Sequence, residues 1–185
     1  MTLKVAIQMD PINSIDTSTD STFVLALEAQ ARGYELFRYL PQDLALVEGC
    51  VIANACSLEL RPDPDDYFTI GPQKLLDLAA VDVVLMRQDP PFDLSYITAT
   101  HLLEHIHPNT LVVNDPAQVR NAPEKLFITH FPDLMPPTII TSDKKQMAEF
   151  RSKYQDIIVK PLFGNGGAGI LHIKQNDENF NSILE

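Results

Sequence analysis

Four of the seven glycines in the chain, Gly164, Gly166, Gly167 and Gly169, fall within six consecutive residues. Glycines grouped this way let backbone N–H groups point in one direction and approach a ligand closely, which is how an uncharged main chain cradles phosphate. The run Gly164-Asn165-Gly166-Gly167-Ala168-Gly169 satisfies G-x-G-x-x-G. That dinucleotide fingerprint requires a strand before it and a helix after it, whereas residues 170–174 alternate like a strand. No Gly-Lys-Ser/Thr closes the turn, so a Walker loop is excluded. The segment reads as a glycine-rich hairpin lid over nucleotide phosphates, with a plain flexible hairpin loop as the bland alternative. Lys160, in Ile-Ile-Val-Lys-Pro directly before the turn, supplies the positive charge that a backbone nest lacks. Without the glycines it would be an ordinary exposed lysine.

A second pattern suggests different chemistry. His101-Leu-Leu-Glu-His105 matches H-x-x-E-H, the inverted zinc-peptidase signature, on a predicted helix, with His107 close by. Histidines four apart share a helical face, as a metal pair would need. Leu102, Leu103 and Ile106 form the apolar stripe, however, which turns His101 and His105 to the polar side. A five-residue pattern with three fixed positions also arises easily by chance. Zinc hydrolysis through His101, Glu104 and His105 is therefore the lesser reading, and no metal site is assigned within the chain. Cys50 and Cys56, the only cysteines, fit neither a disulfide framework nor a four-ligand zinc site. His130 and His172 are expected in structural or surface roles.

The elements that must position these residues alternate. Residues 3–9 read as a buried strand, followed by a loop and a helix over 21–32, with Asp20 or Ser21 as N-cap and Gly33 past its end. Residues 34–40 form a second strand, and 44–60 carry two β-like runs around Glu48-Gly49, as a hairpin insertion would. A Pro/Asp-rich loop covers 61–66. A helix is expected over 73–80, a strand over 81–87, a helix over 94–107 ended by Pro108, and a strand over 111–114. This order predicts a doubly wound parallel sheet for the first 120 or so residues. Beyond Pro123 a second unit begins: helix 124–131, strand 138–141, helix 144–154, strand 157–160, the glycine turn, strand 170–174 and a nascent helix over 180–185. About 60 residues is near the lower limit for a self-sufficient core, so this unit reads as incomplete.

Composition bounds the function. The chain of 185 residues is 45% apolar and 21% charged, the profile of a globular protein. No apolar run approaches the roughly 18 residues of a membrane span, and the amino terminus reads as a first strand rather than a signal peptide, so the cytoplasm is expected. Lys and Arg number 14 against 25 Asp and Glu, a net charge of 14 − 25 = −11 that repels phosphate backbones. No nucleic-acid or membrane partner is expected.

Taken in register, the chain resembles the ATP-grasp ligases, and within them the bacterial type of glutathione synthetase. Ile-Ile-Val-Lys160-Pro-Leu and the glycine run are similar to the ATP-grasp strand, lysine and lid. Glu124-Lys125-Leu126, within Asn121 to Phe127, is similar to the other ATP-grasp lysine segment. The first domain carries the more specific blocks: Met9-Asp10-Pro11, the helix leading into Gly33-Tyr34, and Leu85-Met-Arg-Gln-Asp-Pro-Pro-Phe-Asp93. The resemblance implies a pre-ATP-grasp, Rossmann-like α/β domain over 1–121 and the first part of an ATP-grasp α+β unit over 122–185.

The same resemblance implies ATP-dependent ligation of γ-glutamylcysteine and glycine through an acyl phosphate, with Mg2+, in a protein that assembles as a homo-oligomer. It places Lys125, Lys160, Gly164, Asn165, Gly166, Gly167 and Gly169 around ATP. Asp10 and Arg87 end predicted parallel strands, the edge at which open α/β sheets bind ligands. By the resemblance Arg87 pairs a substrate carboxylate, and Asp10 or Asp89 a substrate ammonium or a helix terminus. Turn chemistry alone also accounts for both Asp-Pro pairs. The Mg2+ ligands, adenine hinge and catalytic arginine are expected in a carboxyl-terminal half outside these residues, so no catalytic residue is assigned and the 185-residue chain is expected to be inactive alone. A non-catalytic binding module on the same fold, and an ATP-grasp ligase for a different acid and amine, are the competing classes.

Overall fold

The computed structural model describes residues 2–164 and 166–183. The chain forms two compact units, residues 1–122 and 123–185.

The first unit is built on one mixed sheet of eight strands. Strand β1 (Lys4–Gln8) leads through α1 (Ser21–Ala31) to β2 (Glu35–Tyr39). The hairpin β3 (Leu44–Val47) and β4 (Cys50–Leu60) follows, then the short strands β5 (Phe68–Ile70) and β6 (Lys74–Asp77). Strand β7 (Val83–Met86), α2 (Leu94–Glu104), β8 (Leu111–Val113) and α3 (Pro116–Asn121) complete the unit. Strands β2, β1, β7 and β8 pair in parallel, in that spatial order. The Glu48-Gly49 hairpin extends this sheet: β4 runs antiparallel to β2 and also carries β3, β5 and β6. The sheet is therefore mixed, with a doubly wound parallel half and an antiparallel extension.

Period-two alternation divides β1 between two cores. Val5 and Ile7 pack with Phe23 and Ala26 of α1 and with Leu36, Leu58 and Leu60. Ala6 faces the other way and packs with Phe37, Val84, Val112 and Leu103 of α2. Removing about 25 cal/mol of unfavourable hydration per Å² on both faces is what fixes the register, because a one-residue slip would exchange the two cores.

Local signals set the helix ends. The Asp20 carboxylate accepts the Phe23 N–H at 2.7 Å, which caps α1. At its far end Gly33 has φ of 77°, and the Gly33 and Tyr34 N–H groups donate to the Gln30 and Ala29 carbonyls. This is a Schellman closure. From α1 the Gln30 carboxamide reaches β4 and makes both hydrogen bonds of a neighbouring strand, accepting from Leu60 N at 2.7 Å and donating to Leu60 O at 2.8 Å. Helix α2 begins at Asp93, whose carboxylate accepts the Tyr96 N–H at 3.0 Å. It ends at Glu104 rather than His107, because the last turn tightens to i→i−3 bonds from His105 and Ile106 before Pro108.

Residues 74–77 form strand β6 instead of the expected helix, since Lys74–Asp77 pair with Ala55–Ile52 along β4. The Asp77 carboxylate then accepts from Ala79 N and starts a single 3-10 turn. Tertiary pairing overrides local propensity here.

The second unit contains α4 (Glu124–Phe127), 3-10 turns over 128–130 and 132–134, α5 (Lys144–Tyr154), the antiparallel pair β9 (Ile157–Val159) and β10 (Leu171–Ile173), and α6 (Phe180–Ile183). Residues 138–141 are not a strand. Their hydroxyls are taken up locally, Thr138 donating to Pro136 O and Thr141 to Gln146 Oε1. The expected end of α6 at 184–185 lies outside the described residues.

Candidate functional site

The parallel half of the sheet has one topological switch point. From β1 the chain crosses through α1 to β2 on one side, and from β7 it crosses through α2 to β8 on the other, on the opposite face. Strand order reverses between β1 and β7, and a crevice opens beyond their carboxyl ends, where open α/β sheets bind ligands.

Asp10 and Arg87 lie in this crevice, a cleft of about 370 Å³ whose lining includes Asp16, Ser21, Thr22 and Asp89. The Arg87 backbone N–H donates to Gln8 O at 2.7 Å. Its guanidinium reaches the start of α1, donating from Nε to Thr22 Oγ1 at 3.0 Å and from Nη2 to Ser21 Oγ at 2.6 Å. One oxygen of Asp10 accepts the Asp89 N–H at 2.6 Å, which ties the loop after β7 to the loop after β1. Beneath them Gln8, fully buried, donates from Nε2 to Gln88 Oε1. The three residues singled out in the first domain are thus brought together around one cavity.

Sequence reasoning missed the partners. Ser21 and Thr22 are legible as helix-start residues, but nothing local marks their hydroxyls as acceptors for an arginine 65 and 66 positions away. Tyr96, in the first turn of α2, is within electrostatic reach of these charges although it does not line the cleft. Burial raises its hydroxyl pKa, Arg87 opposes that shift, and Asp89 and Asp10 reinforce it.

In the second unit the Lys125 ammonium donates to Gly164 O at 2.7 Å, joining the start of α4 to the glycine turn. Lys160 follows β9 directly and is exposed. Gly164, Gly166, Gly167 and Gly169 all have positive φ, from 61° to 133°. Among the described residues, a Cβ on Gly167 would meet no atom within 4 Å, whereas one on Gly169 would lie 2.7 Å from Pro161 Cγ. The turn is therefore open at Gly167 and closed against Pro161 at Gly169. Asn165 lies outside the described residues. The strand pair it connects is antiparallel, so the glycine run joins a hairpin and not the strand-to-helix turn of a dinucleotide fold.

The H-x-x-E-H residues do not converge. Glu104 is engaged by Arg120 Nη2, and its carboxylate lies 3.8 Å from His101 Nδ1. His101 and His105 are exposed. His107 instead accepts the Val112 N–H at 3.4 Å on Nδ1 and faces Asp115 at 3.5 Å through Nε2. The buried side of α2 is formed by Ala99, Thr100 and Leu103, with Leu102 only half-buried. His130 packs edge-on to Phe127, and His172 lies 3.8 Å from Asp156. Among the described residues, no three His, Cys, Asp or Glu side chains gather as a metal ion would need.

No helix among the described residues is long and apolar enough to cross a membrane.

The fold and the order of its two units are those of an ATP-grasp ligase. The solved structure of the ATP-grasp ligase PsnB, complexed with minimal precursor, Mg and ADP, superposes with a TM-score of 0.51 at 15% identity, over 98% of this chain and 62% of that one. Sequence comparison is more specific. The profile of the prokaryotic glutathione synthetase N-terminal domain matches residues 3–120, and that of the prokaryotic glutathione synthetase ATP-grasp domain matches residues 124–185. The chain belongs to the prokaryotic glutathione synthetase family. It is 55% identical over 185 residues to the glutathione synthetase of Brucella melitensis, covering 100% of this chain and 59% of that protein. It is 55% identical over 181 residues to that of Agrobacterium fabrum, covering 98% and 57%. With the Vibrio parahaemolyticus enzyme it shares 44% over 184 residues, covering 99% and 58%. The chain thus spans about 59% of the length of such relatives.

Proposed function

We propose that the complete protein joins γ-glutamylcysteine to glycine at the expense of ATP, giving glutathione, ADP and phosphate. The observation that supports this most is the 55% identity to a glutathione synthetase along both units of the chain. In this reading a carboxylate oxygen of γ-glutamylcysteine attacks the γ-phosphorus of ATP, and ADP leaves. The glycine amine then attacks the acyl carbon of the resulting acyl phosphate, phosphate leaves, and the amine gives up its proton.

Residues 1–121 act as the peptide-binding domain. Arg87, which shares the crevice with the carboxylates of Asp10, Asp16, Asp20 and Asp89, pairs a carboxylate of the peptide, and Asp10 or Asp89 pairs its ammonium. Residues 122–185 act as the first part of the nucleotide-binding domain. Lys160 and Lys125 face the triphosphate, and the turn from Gly164 to Gly169, Asn165 included, closes over it with its N–H groups. Magnesium, as the family's chemistry implies, would neutralise charge on the transferring phosphoryl group, with ligands in the carboxyl-terminal part of the longer family members.

The test is product formation by the complete protein. Supplied with γ-glutamylcysteine, glycine and Mg-ATP, it is expected to release one phosphate per glutathione, and to release none when either acceptor is omitted. Phosphate release without glutathione would overturn the assignment. Lys160→Ala is expected to lower turnover severely, and native kinetics in that variant would remove Lys160 from the phosphate site.

A further inference from the structure

We infer that Thr22, with Ser21, is a positioning residue for peptide recognition: the two hydroxyls hold Arg87 so that one defined edge of its guanidinium faces the crevice. This rests on the reading of Arg87 as the partner of a peptide carboxylate. A guanidinium carries five N–H groups and offers a carboxylate two bidentate approaches, side-on through Nε and Nη2 or end-on through Nη1 and Nη2. Thr22 Oγ1 takes the Nε–H at 3.0 Å and Ser21 Oγ takes an Nη2–H at 2.6 Å, so the side-on edge is occupied. Three N–H groups remain: one on Nη1 and one on Nη2 make up the end-on edge, and the other Nη1–H lies on the Cδ side.

The arrangement fixes the side chain at both ends. The Arg87 backbone is bound to β1 through Gln8 O, while its head is bound to the first turn of α1. Thr22 is itself 5% exposed and packed into the helix–sheet interface beside Phe23, so its hydroxyl has little freedom to turn away. Ser21, by contrast, is exposed and contributes a hydrogen bond without a packing role. An arginine has long side-chain freedom to lose on binding a ligand, and ordering it beforehand leaves less to be lost when the peptide arrives. The hydroxyls are neutral acceptors, so they orient the guanidinium without neutralising it as a carboxylate would.

Thr22→Val keeps the branched shape and removes the hydroxyl. In the complete protein it is expected to raise KM for γ-glutamylcysteine about tenfold, the scale of a hydrogen bond to a charged group. KM for ATP and for glycine, kcat at saturating peptide and the thermal midpoint are expected to stay at native values. Thr22→Ser, which restores the hydroxyl, is expected to return KM toward native. Ser21→Ala gives a second, exposed test of the same contact and is expected to raise the same KM, which keeps the inference testable where the valine variant does not fold. The inference is overturned by native peptide KM in both hydroxyl-deleted variants, or by a parallel rise of all three KM values with a lowered midpoint, which marks a structural role. Arg87→Lys separates the two levels. Native peptide KM in that variant overturns the reading of Arg87 itself, whereas a raised KM there with native values in Thr22→Val and Ser21→Ala overturns the positioning role alone.

Discussion

Gly167 and Gly169 differ in one respect that substitution can isolate. Both have positive φ, 78° and 71°, so alanine at either position must adopt the left-handed region at a cost of about 1–2 kcal/mol. At Gly167 the added methyl meets nothing within 4 Å among the described residues, and that conformational cost is the whole expected effect. At Gly169 the methyl would lie 2.7 Å from Pro161 Cγ and 3.3 Å from Pro161 Cδ. The proline ring cannot rotate away, so the turn must open, adding about 1–3 kcal/mol of overpacking. Gly169→Ala is therefore expected to destabilise the second unit by about 2–5 kcal/mol and Gly167→Ala by about 1–2 kcal/mol. Urea unfolding followed by hydrogen exchange at the β9 and β10 amides reads the two variants on the same elements. Equal destabilisation would refute the claim that Pro161 closes the return of the turn. A larger effect at Gly167 would refute the open geometry there as well.

Two further expectations follow from the first unit. Leu103→Ala, at a fully buried position of α2, is expected to lower its stability by about 2–5 kcal/mol in denaturant unfolding, while Leu102→Ala, half-buried one residue away, costs clearly less; equal costs would mean the helix face is misplaced. Asp16 accepts hydrogen bonds from the Ser18 hydroxyl and the Ser18 N–H, which hold its carboxyl below the usual aspartate value of 3.8. Because the folded pKa is the lower one, its stabilisation is present above the unfolded pKa and is lost as pH falls through the folded value. Carboxyl titration by NMR is expected to show Ser18→Ala moving Asp16 upward, and an unmoved value would refute the assignment.

The parallel half of the sheet is legible because each strand carries its own two-sided apolar run and each helix its own cap. Asp20 before α1, Asp93 before α2 and Gly33 after α1 are local signals read locally. Some of the misread segments are those whose state depends on a distant partner. Residues 74–77 carry helix-compatible types and become β6 only because β4 offers an edge. Strand β5 and helix α3 escaped notice, although Asp115-Pro116 places a capping carboxylate and an N1 proline at the start of α3, a signal that could have found it. Residues 138–141 have strand-forming side chains and no paired strand among the described residues. At the candidate site, charged residues at strand ends stood out by type and place, but their neutral partners did not. A serine and a threonine at a helix start are fully explained by the helix, so their second role appears only when β7 is laid beside β1.

The carboxamide of Gln30 closes a gap at which the sheet could otherwise take up another strand. Beyond Ser57, strand β4 parts from β2, and a diverging strand leaves a donor and an acceptor that any extended peptide can claim. Gln30 supplies that donor and acceptor from a helix, at 2.7 and 2.8 Å on Leu60. A side chain anchored to α1 cannot be lengthened by further pairing as a strand can. The gap in the sheet is thus sealed from within, beside Leu58 and Leu60, whose side chains are buried in the core with Val5 and Ile7.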